Sequence, residues 1–266
     1  MIAALRLAQA IAEHRRLLFA TTRVEFQRRY AGSALGMLWV ALNPLLFLCV
    51  YMFLFLVVFK MRLPGLSNLG YVTMVFSGLV PFLASMEVAS VSAASLKQNM
   101  HLIKNVIMPI DLIPVRVVLM AMATQGVGLI LLIGLAGIDG ALGAKVLWML
   151  PLALLIQFFF LLGFALIFAP LGVLAPDINH AIGTLMLFLM FLSPIAFDQS
   201  MVPEPLRFIT ILNPANYLIE SFRMAVLNHR VIDWNVYAIF AALAMVVLVI
   251  GATLTRRFKS VVVDYE

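Results

Sequence analysis

The sequence predicts an all-α integral membrane protein with six transmembrane helices, an amphipathic helix ahead of them, and two short helices between the fifth and sixth spans. Three observations carry this reading. The 266 residues are 64% hydrophobic and only 11% charged, with a mean hydropathy of +1.10, whereas soluble domains run at roughly 45–50% apolar and about 25% charged. The apolar residues gather in runs long enough to cross a ~30 Å hydrocarbon core, which takes about 20 residues as a helix. Those runs are leucine-rich, with scattered glycine and proline, and lack the alternation of barrel strands. So few charges cannot cover a water-exposed surface, which excludes a soluble globular, disordered or collagen-like chain. The pI of 9.8 is then no nucleic-acid footprint.

Taken in order, residues 1–36 form an amphipathic cytoplasmic segment. Ala3, Leu7, Ile11 and Leu18 share one helical face, with Gln9, Glu13 and Arg16 opposite, the pattern of a helix lying in the membrane interface. Residues 37–266 make the spanning domain, with spans at 37–59, 70–92, 117–136, 146–169, 181–197 and 235–255. The outer loops are short, Pro64-Gly65 marking the first turn, except for 198–234. There Pro203 and Pro205 suit a helix start, and Asn213-Pro214 closes one segment and opens another. Leu206, Ile209 and Leu212 form one apolar stripe; Leu218, Phe222 and Val226 form a second; Glu220 and Arg223 stand i,i+3 and can pair. Inside, residues 93–114 make the substantial loop. Its stretch 96–106 mixes Lys97, His101 and Lys104 with Leu102, Ile103 and Val106, so a short amphipathic helix facing a soluble partner is expected.

Charge orients the chain. Twelve basic residues, among them Arg15, Arg16, Arg23, Arg28, Arg29, Lys97, Lys104 and Arg116, fall on one face and six on the other. By the positive-inside rule the richer face is cytoplasmic and holds both termini. The acids agree: six lie on the inner face and five on the outer, leaving Glu87 inside the second span. Cys49 is the only cysteine, so no intrachain disulfide can form.

Chemistry is conspicuous by its absence. No G-x-x-x-x-G-K-[ST] loop, H-E-x-x-H or Cys/His cluster occurs, so no catalytic residue, nucleotide site or metal site is expected in this chain. Glu87 is the one clear intramembrane carboxylate, a functional candidate by default, although pairing within the bundle accounts for it more simply. Phe47, Tyr51, Phe55 and Phe59 recur at i+4 along the first span; Phe160, Phe164 and Phe168 do so in the fourth; Phe188 and Phe191 lie together in the fifth. Such ridges pack helices or face lipid, or form an aromatic path over which sugar rings slide.

The N-terminal run Arg23-Val24-Glu25-Phe26-Gln27-Arg28-Arg29-Tyr30-Ala31-Gly32-Ser33-Ala34-Leu35-Gly36-Met37-Leu38-Trp39, followed by Asn43-Pro44, resembles the opening signature of ABC exporter permeases for bacterial polysaccharides. Arg29, Tyr30, Ser33, Leu35, Gly36, Trp39 and Pro44 match it; Glu25 stands where aspartate is common, and Ala31 where lysine is. Leu102-Ile103-Lys104-Asn105 through Pro109 resembles the family's coupling helix, and Ser193-Pro194-Ile195 the end of its fifth span. Leu212-Asn213-Pro214 with Tyr217-Leu218-Ile219-Glu220-Ser221-Phe222-Arg223 resembles its re-entrant outer helices.

The resemblance implies a homodimer of permeases in the bacterial inner membrane, with two ATPase subunits beneath it that carry the ATP and magnesium. It implies no cofactor in this chain and a lipid-linked polysaccharide, foremost an O-antigen, as substrate. Arg15, Arg16, Arg23, Arg28, Arg29, Tyr30 and Ser33 would meet membrane lipid and the substrate's phosphate. Trp39, Tyr51, Phe55, Phe188 and Phe191 would line the channel. Lys97, His101 and Lys104 would couple to the ATPase, and Pro214, Tyr217, Glu220 and Arg223 would form the outer gate. Two competing readings are an ABC exporter of a small hydrophobic compound and an ion-coupled carrier built on Glu87. A membrane enzyme acting on lipid-linked sugars fits the scattered histidines and acids poorly.

Overall fold

The computed structural model describes residues 9–61, 65–100 and 109–264, and its regular structure there is helical, with one isolated bridge between Leu142 and Leu227. The helices are α1 (Arg15–Tyr30), α2 (Trp39–Met52), α3 (Asn68–Gln98), α4 (Leu112–Ile138), α5 (Val146–Leu174), α6 (Asp177–Leu192), α7 (Arg207–Leu212), α8 (Pro214–Val226) and α9 (Trp234–Asp264). A 3-10 turn at Gly36–Leu38 leads into α2, and a π-helical stretch, Phe53–Val58, continues it. Five segments are long and apolar enough to cross a membrane: Gly36–Val58, Asn68–Gln98, Leu112–Ile138, Val146–Leu174 and Trp234–Arg257.

Five of the six expected spans correspond to these segments, and the boundaries differ in two ways. Helices α3, α4 and α5 run past the expected ends, so that 93–98 and 170–174 are helical and the α5–α6 connection shrinks to Ala175-Pro176. A helix that leaves the bilayer loses no backbone hydrogen bonds by continuing into water, so hydropathy alone ends it too early. The fifth expected span, 181–197, is helical only to Leu192; Ser193 turns to extended backbone (ψ 145°). Pro194 causes this, because proline drives the preceding residue out of the α region.

Helix α3 is the centre of the molecule. It packs on α4, α5, α6 and α8, and Met74, Val75, Phe76, Leu79, Phe82 and Val88 on it are buried. Its N-terminus is capped by Ser67, whose hydroxyl accepts from the Gly70 N–H at 2.8 Å and donates to Asp139 at 2.9 Å. Helices α5 and α9 share the most extensive interface, and glycine makes it possible. A Cβ on Gly163 would sit 2.5 Å from the Leu248 nitrogen, and one on Gly251 would sit 2.5 Å from the Gly163 carbonyl oxygen. Without a hydrophobic drive between helices in lipid, such backbone contact supplies the packing energy. Thr255 adds a hydrogen bond to the Leu166 carbonyl at 2.7 Å.

By contrast, α2 is thinly held. Within it, Val40, Pro44, Leu48 and Tyr51 are buried, while Leu46, Val50, Phe53, Val57, Val58 and Phe59 along the span are exposed. Helix α1 lies against α4 and buries Leu18, leaving Phe19 and Val24 uncovered. Trp148 and Trp234, at the starts of α5 and α9, stack at 6.3 Å, as expected of an interfacial aromatic belt.

Alanine favours helix over glycine by up to about 1 kcal/mol, so the two kinds of glycine separate by substitution. Gly163→Ala is expected to lower the detergent-solubilised melting temperature, overpacking costing about 1–3 kcal/mol. Gly134→Ala, where a Cβ meets nothing within 4 Å, is expected to leave it unchanged or raise it.

Candidate functional site

The break after α6 organises the half of the molecule around α8. Residues 193–198 run non-helically through the interior, with Ser193, Ile195 and Ala196 buried. Their carbonyls lose helical partners and must find others, because no water is at hand. Arg223 supplies them: its Nη2 donates to the Ile195 carbonyl at 2.7 Å and its Nη1 reaches the Phe197 carbonyl at 3.5 Å. The Tyr71 hydroxyl donates to the Ala196 carbonyl at 2.7 Å, and the Asn213 amide to the Ser193 hydroxyl at 2.9 Å. Arg223 is fully buried, and Glu220 one turn earlier neutralises it at 2.8 Å. Arg230 pairs with Asp198 and lies 4.0 Å from Glu220.

Helix α8 carries this clamp and differs from the surface helix its apolar stripe suggests. Asn213 caps it, accepting from the Ala215 N–H at 3.0 Å, with Pro214 at its first position. Besides Leu218, Phe222 and Val226, it buries Asn216, Glu220, Ser221 and Arg223. It sits among α3, α5 and α9. Ile219 fits the notch at Gly78, where a Cβ would come within 2.9 Å of it. Tyr237 of α9 donates to the Ser221 carbonyl at 2.6 Å, and Tyr217 to the Ile211 carbonyl at 3.0 Å. Of the expected gate residues, Glu220 and Arg223 are thus brought together in the interior, with Tyr217 on the α7 side.

Away from α8, Arg29 of α1 forms an ion pair with Glu87 of α3. Arg29 lines two cavities. One, of about 250 Å³, is lined by Asn43, Pro44, Glu87, Ser90, Thr124 and Gln125 among others. The second, of about 320 Å³, lies beneath α1 and is lined by Glu25, Arg28, Arg29, Gln98, Asn99 and Arg116 among others. Arg15, Arg16, Arg23 and Ser33 stand exposed along and after α1, apart from both cavities; Tyr30 ends that helix. Lys97 is exposed near the end of α3, while His101 and Lys104 lie outside the described residues.

The aromatic residues divide. Tyr51 is buried, stacked on Phe55 at 5.7 Å and on Phe191 at 6.4 Å, whereas Phe188 and Phe191 are largely exposed and Trp39 stands open at the start of α2. The α5 ridge is packing: Phe160 is buried edge-to-face against Phe164 and Phe240. Among the described residues, no group of three His, Cys, Asp or Glu gathers to hold a metal.

Sequence reasoning missed several polar residues. Gln125 of α4 donates to Gln157 of α5 at 2.7 Å, and Gln157 donates to the Pro81 carbonyl at 3.1 Å, all of it buried. Two glutamines inside apolar spans were signal enough to ask for a partner. Arg116 counted only as topological charge, yet it is buried, and Tyr71 gave no signal at all. A polar cavity of about 660 Å³ is lined by Ser67, Asp139, Asp198, Asn228, His229 and Arg230 among others. There desolvation, with Arg230 and Lys145, lowers the His229 pKa below its ordinary 6.5 against the opposing pull of Asp139.

Five long apolar helices around a buried, charge-clamped helix break define a multi-pass helical membrane protein. Residues 16–227 match the ABC-2 type transporter family, and the chain belongs to that family. It is similar to the O-antigen export system permease protein RfbA of Myxococcus xanthus, 28% identical over 92% of this chain and 93% of that one. RfbA of Klebsiella pneumoniae is 26% identical over 91% and 92%, and the polysialic acid transport protein KpsM of Escherichia coli 26% identical over 87% and 89%.

Two outcomes are expected. Glu220→Gln strands a buried guanidinium charge and should cost about 3–5 kcal/mol of stability, read as a lower melting temperature. Adding Arg223→Met should not restore it, because the Ile195 carbonyl then loses its donor. For His229, the folded state resists protonation, so its NMR titration midpoint should fall below 6.5. The stability linked to neutral His229 is full above that value and declines as pH falls through it.

Proposed function

We propose that the chain is the transmembrane permease subunit of an ATP-driven exporter of a bacterial polysaccharide, with a lipid-linked O-antigen as its substrate. The observation that carries this is the match, over nine-tenths of both chains, to O-antigen export permeases. KpsM, named for polysialic acid transport, extends the resemblance to a second polysaccharide. Glu87 has Arg29 as its counter-ion, which accounts for its place in α3 without ion coupling.

In this reading the protein is a multi-pass protein of the bacterial inner membrane with both termini cytoplasmic. The sixth crossing is α6: its 16 residues span about 24 Å as helix, and residues 193–198 extend it toward the outer surface. Helices α7 and α8 re-enter from that side as the outer gate, with Pro214, Tyr217, Glu220 and Arg223 in it. Helix α1 lies in the inner interface, where Arg15, Arg16, Arg23, Arg28 and Arg29, beside Tyr30 and Ser33, attract lipid phosphate. Two copies face each other across a channel walled by Trp39, Tyr51, Phe55, Phe188 and Phe191; exposed rings with few fixed charges let a polar polymer slide. Two ATPase subunits, which hold the ATP and magnesium, dock on 93–114 through Lys97, His101 and Lys104. This chain supplies no catalytic group.

Deleting the gene should abolish surface polysaccharide and trap lipid-linked polymer on the cytoplasmic side, with export restored by the wild-type chain. Unchanged surface polysaccharide would overturn the reading. Co-purification should recover a Walker-motif ATPase, and Lys97→Glu should weaken that recovery while leaving the permease folded.

A further inference from the structure

We propose that the cavity beneath α1 is a binding pocket for a phosphate ester carried on a lipid, and that the buried Arg116 is its anchoring residue. The case begins with a buried charge that has no carboxylate in contact with it, its favourable electrostatic neighbour being Glu25 of α1, which lines the same cavity. Arg116 lies in the first turns of α4 and is 3% exposed. A guanidinium cannot shed its proton in a protein and presents five N–H donors. Here one of them, on Nη2, meets the Asn99 side-chain oxygen at 2.6 Å, and Nε is buried with no acceptor. Among the described residues no carboxylate lies within ion-pairing distance of it. Arg223, the other buried arginine among the described residues, also has an Nε without an acceptor, but a glutamate and two carbonyls meet its other nitrogens. A buried cation without a contacting anion costs several kcal/mol, and Glu25 offsets this only from beyond ion-pairing distance, so the interior at Arg116 is suited to an anion.

The cavity that Arg116 lines has the character such an anion requires. Its volume, about 320 Å³, is at the lower end of small-ligand pockets. Among the described residues, Arg28, Arg29 and Arg116 line it with Glu25 as the one carboxylate, and Arg29 is already engaged by Glu87 next door. Gln98 adds an uncharged amide to the wall. Arginine forks match the oxygens of phosphate in pairs, which favours this group over a halide or a single carboxylate. The wall is formed by the end of α3, the start of α4 and the underside of α1. Between a membrane span and an amphipathic helix, the ligand that arrives is one anchored in the leaflet.

This deepens the reading of α1 given above and rests only on its claim that α1 meets lipid phosphate; it is independent of polysaccharide export. The phosphate can come from a resident phospholipid or from the pyrophosphate of a polyprenyl carrier, and the pocket chemistry is shared.

The test uses the full chain in nanodiscs of phosphatidylcholine doped with phosphatidylglycerol, with lipids retained after purification counted by native mass spectrometry. Wild type should retain phosphatidylglycerol, and Arg116→Gln should reduce the retained fraction at least tenfold. Arg256→Gln, an exposed inner-face arginine on α9, should change it less than twofold. If Arg116→Gln fails to fold, Arg28→Gln carries the comparison, with a severalfold loss expected against the Arg256→Gln control. Equal loss in all three variants, or none in Arg116→Gln and Arg28→Gln, overturns the pocket while leaving surface attraction by α1 standing. Adding sugar-free polyprenyl pyrophosphate then separates the sources. Displacement of phosphatidylglycerol assigns the pocket to the carrier lipid, and persistence assigns it to the resident one. Inorganic pyrophosphate alone displacing the lipid as well would mean that the phosphate need not be lipid-borne, which also overturns the proposal.

Discussion

A helix interrupted in a buried interior must give its released carbonyls new donors, and in this molecule that requirement organises the half around α8. After Leu192 the chain abandons α geometry, and Arg223 and Tyr71 take over the hydrogen bonds that a continued α6 would have made for Ile195, Ala196 and Phe197. A cation brought in for that purpose needs neutralising, so Glu220 accompanies it one turn earlier on the same short helix. Helix α8 must then be buried, polar face included. The small surface of Gly78 and the capping amide of Asn213 both serve that placement. Charge here is structural: it keeps irregular backbone satisfied where water is excluded.

The same economy runs through the rest of the chain. Glu87 is matched by Arg29, Gln125 by Gln157, and the spare capacity of the Pro81 carbonyl by Gln157. Two of these contacts tie α3 to a neighbour, α1 through Glu87 and α5 through the Pro81 carbonyl, and the third ties α4 to α5. The most buried span is thus also the most cross-linked by polar contacts, which fixes the rotation of helices whose apolar surfaces alone are nearly uniform around the axis.

Much of this was legible in the sequence. Hydropathy located the long spans and the short α6, because their apolar runs are a property of local composition. The i,i+3 spacing of Glu220 and Arg223 announced their pairing, and the i+4 spacing of Tyr51 and Phe55 their stacking. Burial was the hidden part. A stripe at Leu218, Phe222 and Val226 reveals one apolar face; that the opposite face is also enclosed depends on carbonyls some thirty residues upstream. Arg29 and Glu87 are 58 positions apart, and no local pattern joins them. Arg116 was read as one basic residue among twelve on the inner face, because topology rules count charges without asking which of them are shielded from solvent. Helix ends were misplaced for a related reason: leaving the membrane changes the solvent but not the backbone's preference for helix.

The glycine contact between α5 and α9 has a mechanical side. Where backbones touch, as at Gly163 and Gly251, the two helices cannot slide or roll without collision, so together with α3 they make a rigid frame. Helix α2 has no such lock. Its outward side meets nothing within the subunit, and its far end winds as a π-helix. Tilting it sideways breaks few packed contacts, whereas moving α9 would break many. If the subunit changes shape, the least costly motion is a swinging leaf made of α2 on a fixed frame, and the ring stack between Tyr51 and Phe191 is where that leaf rests when closed.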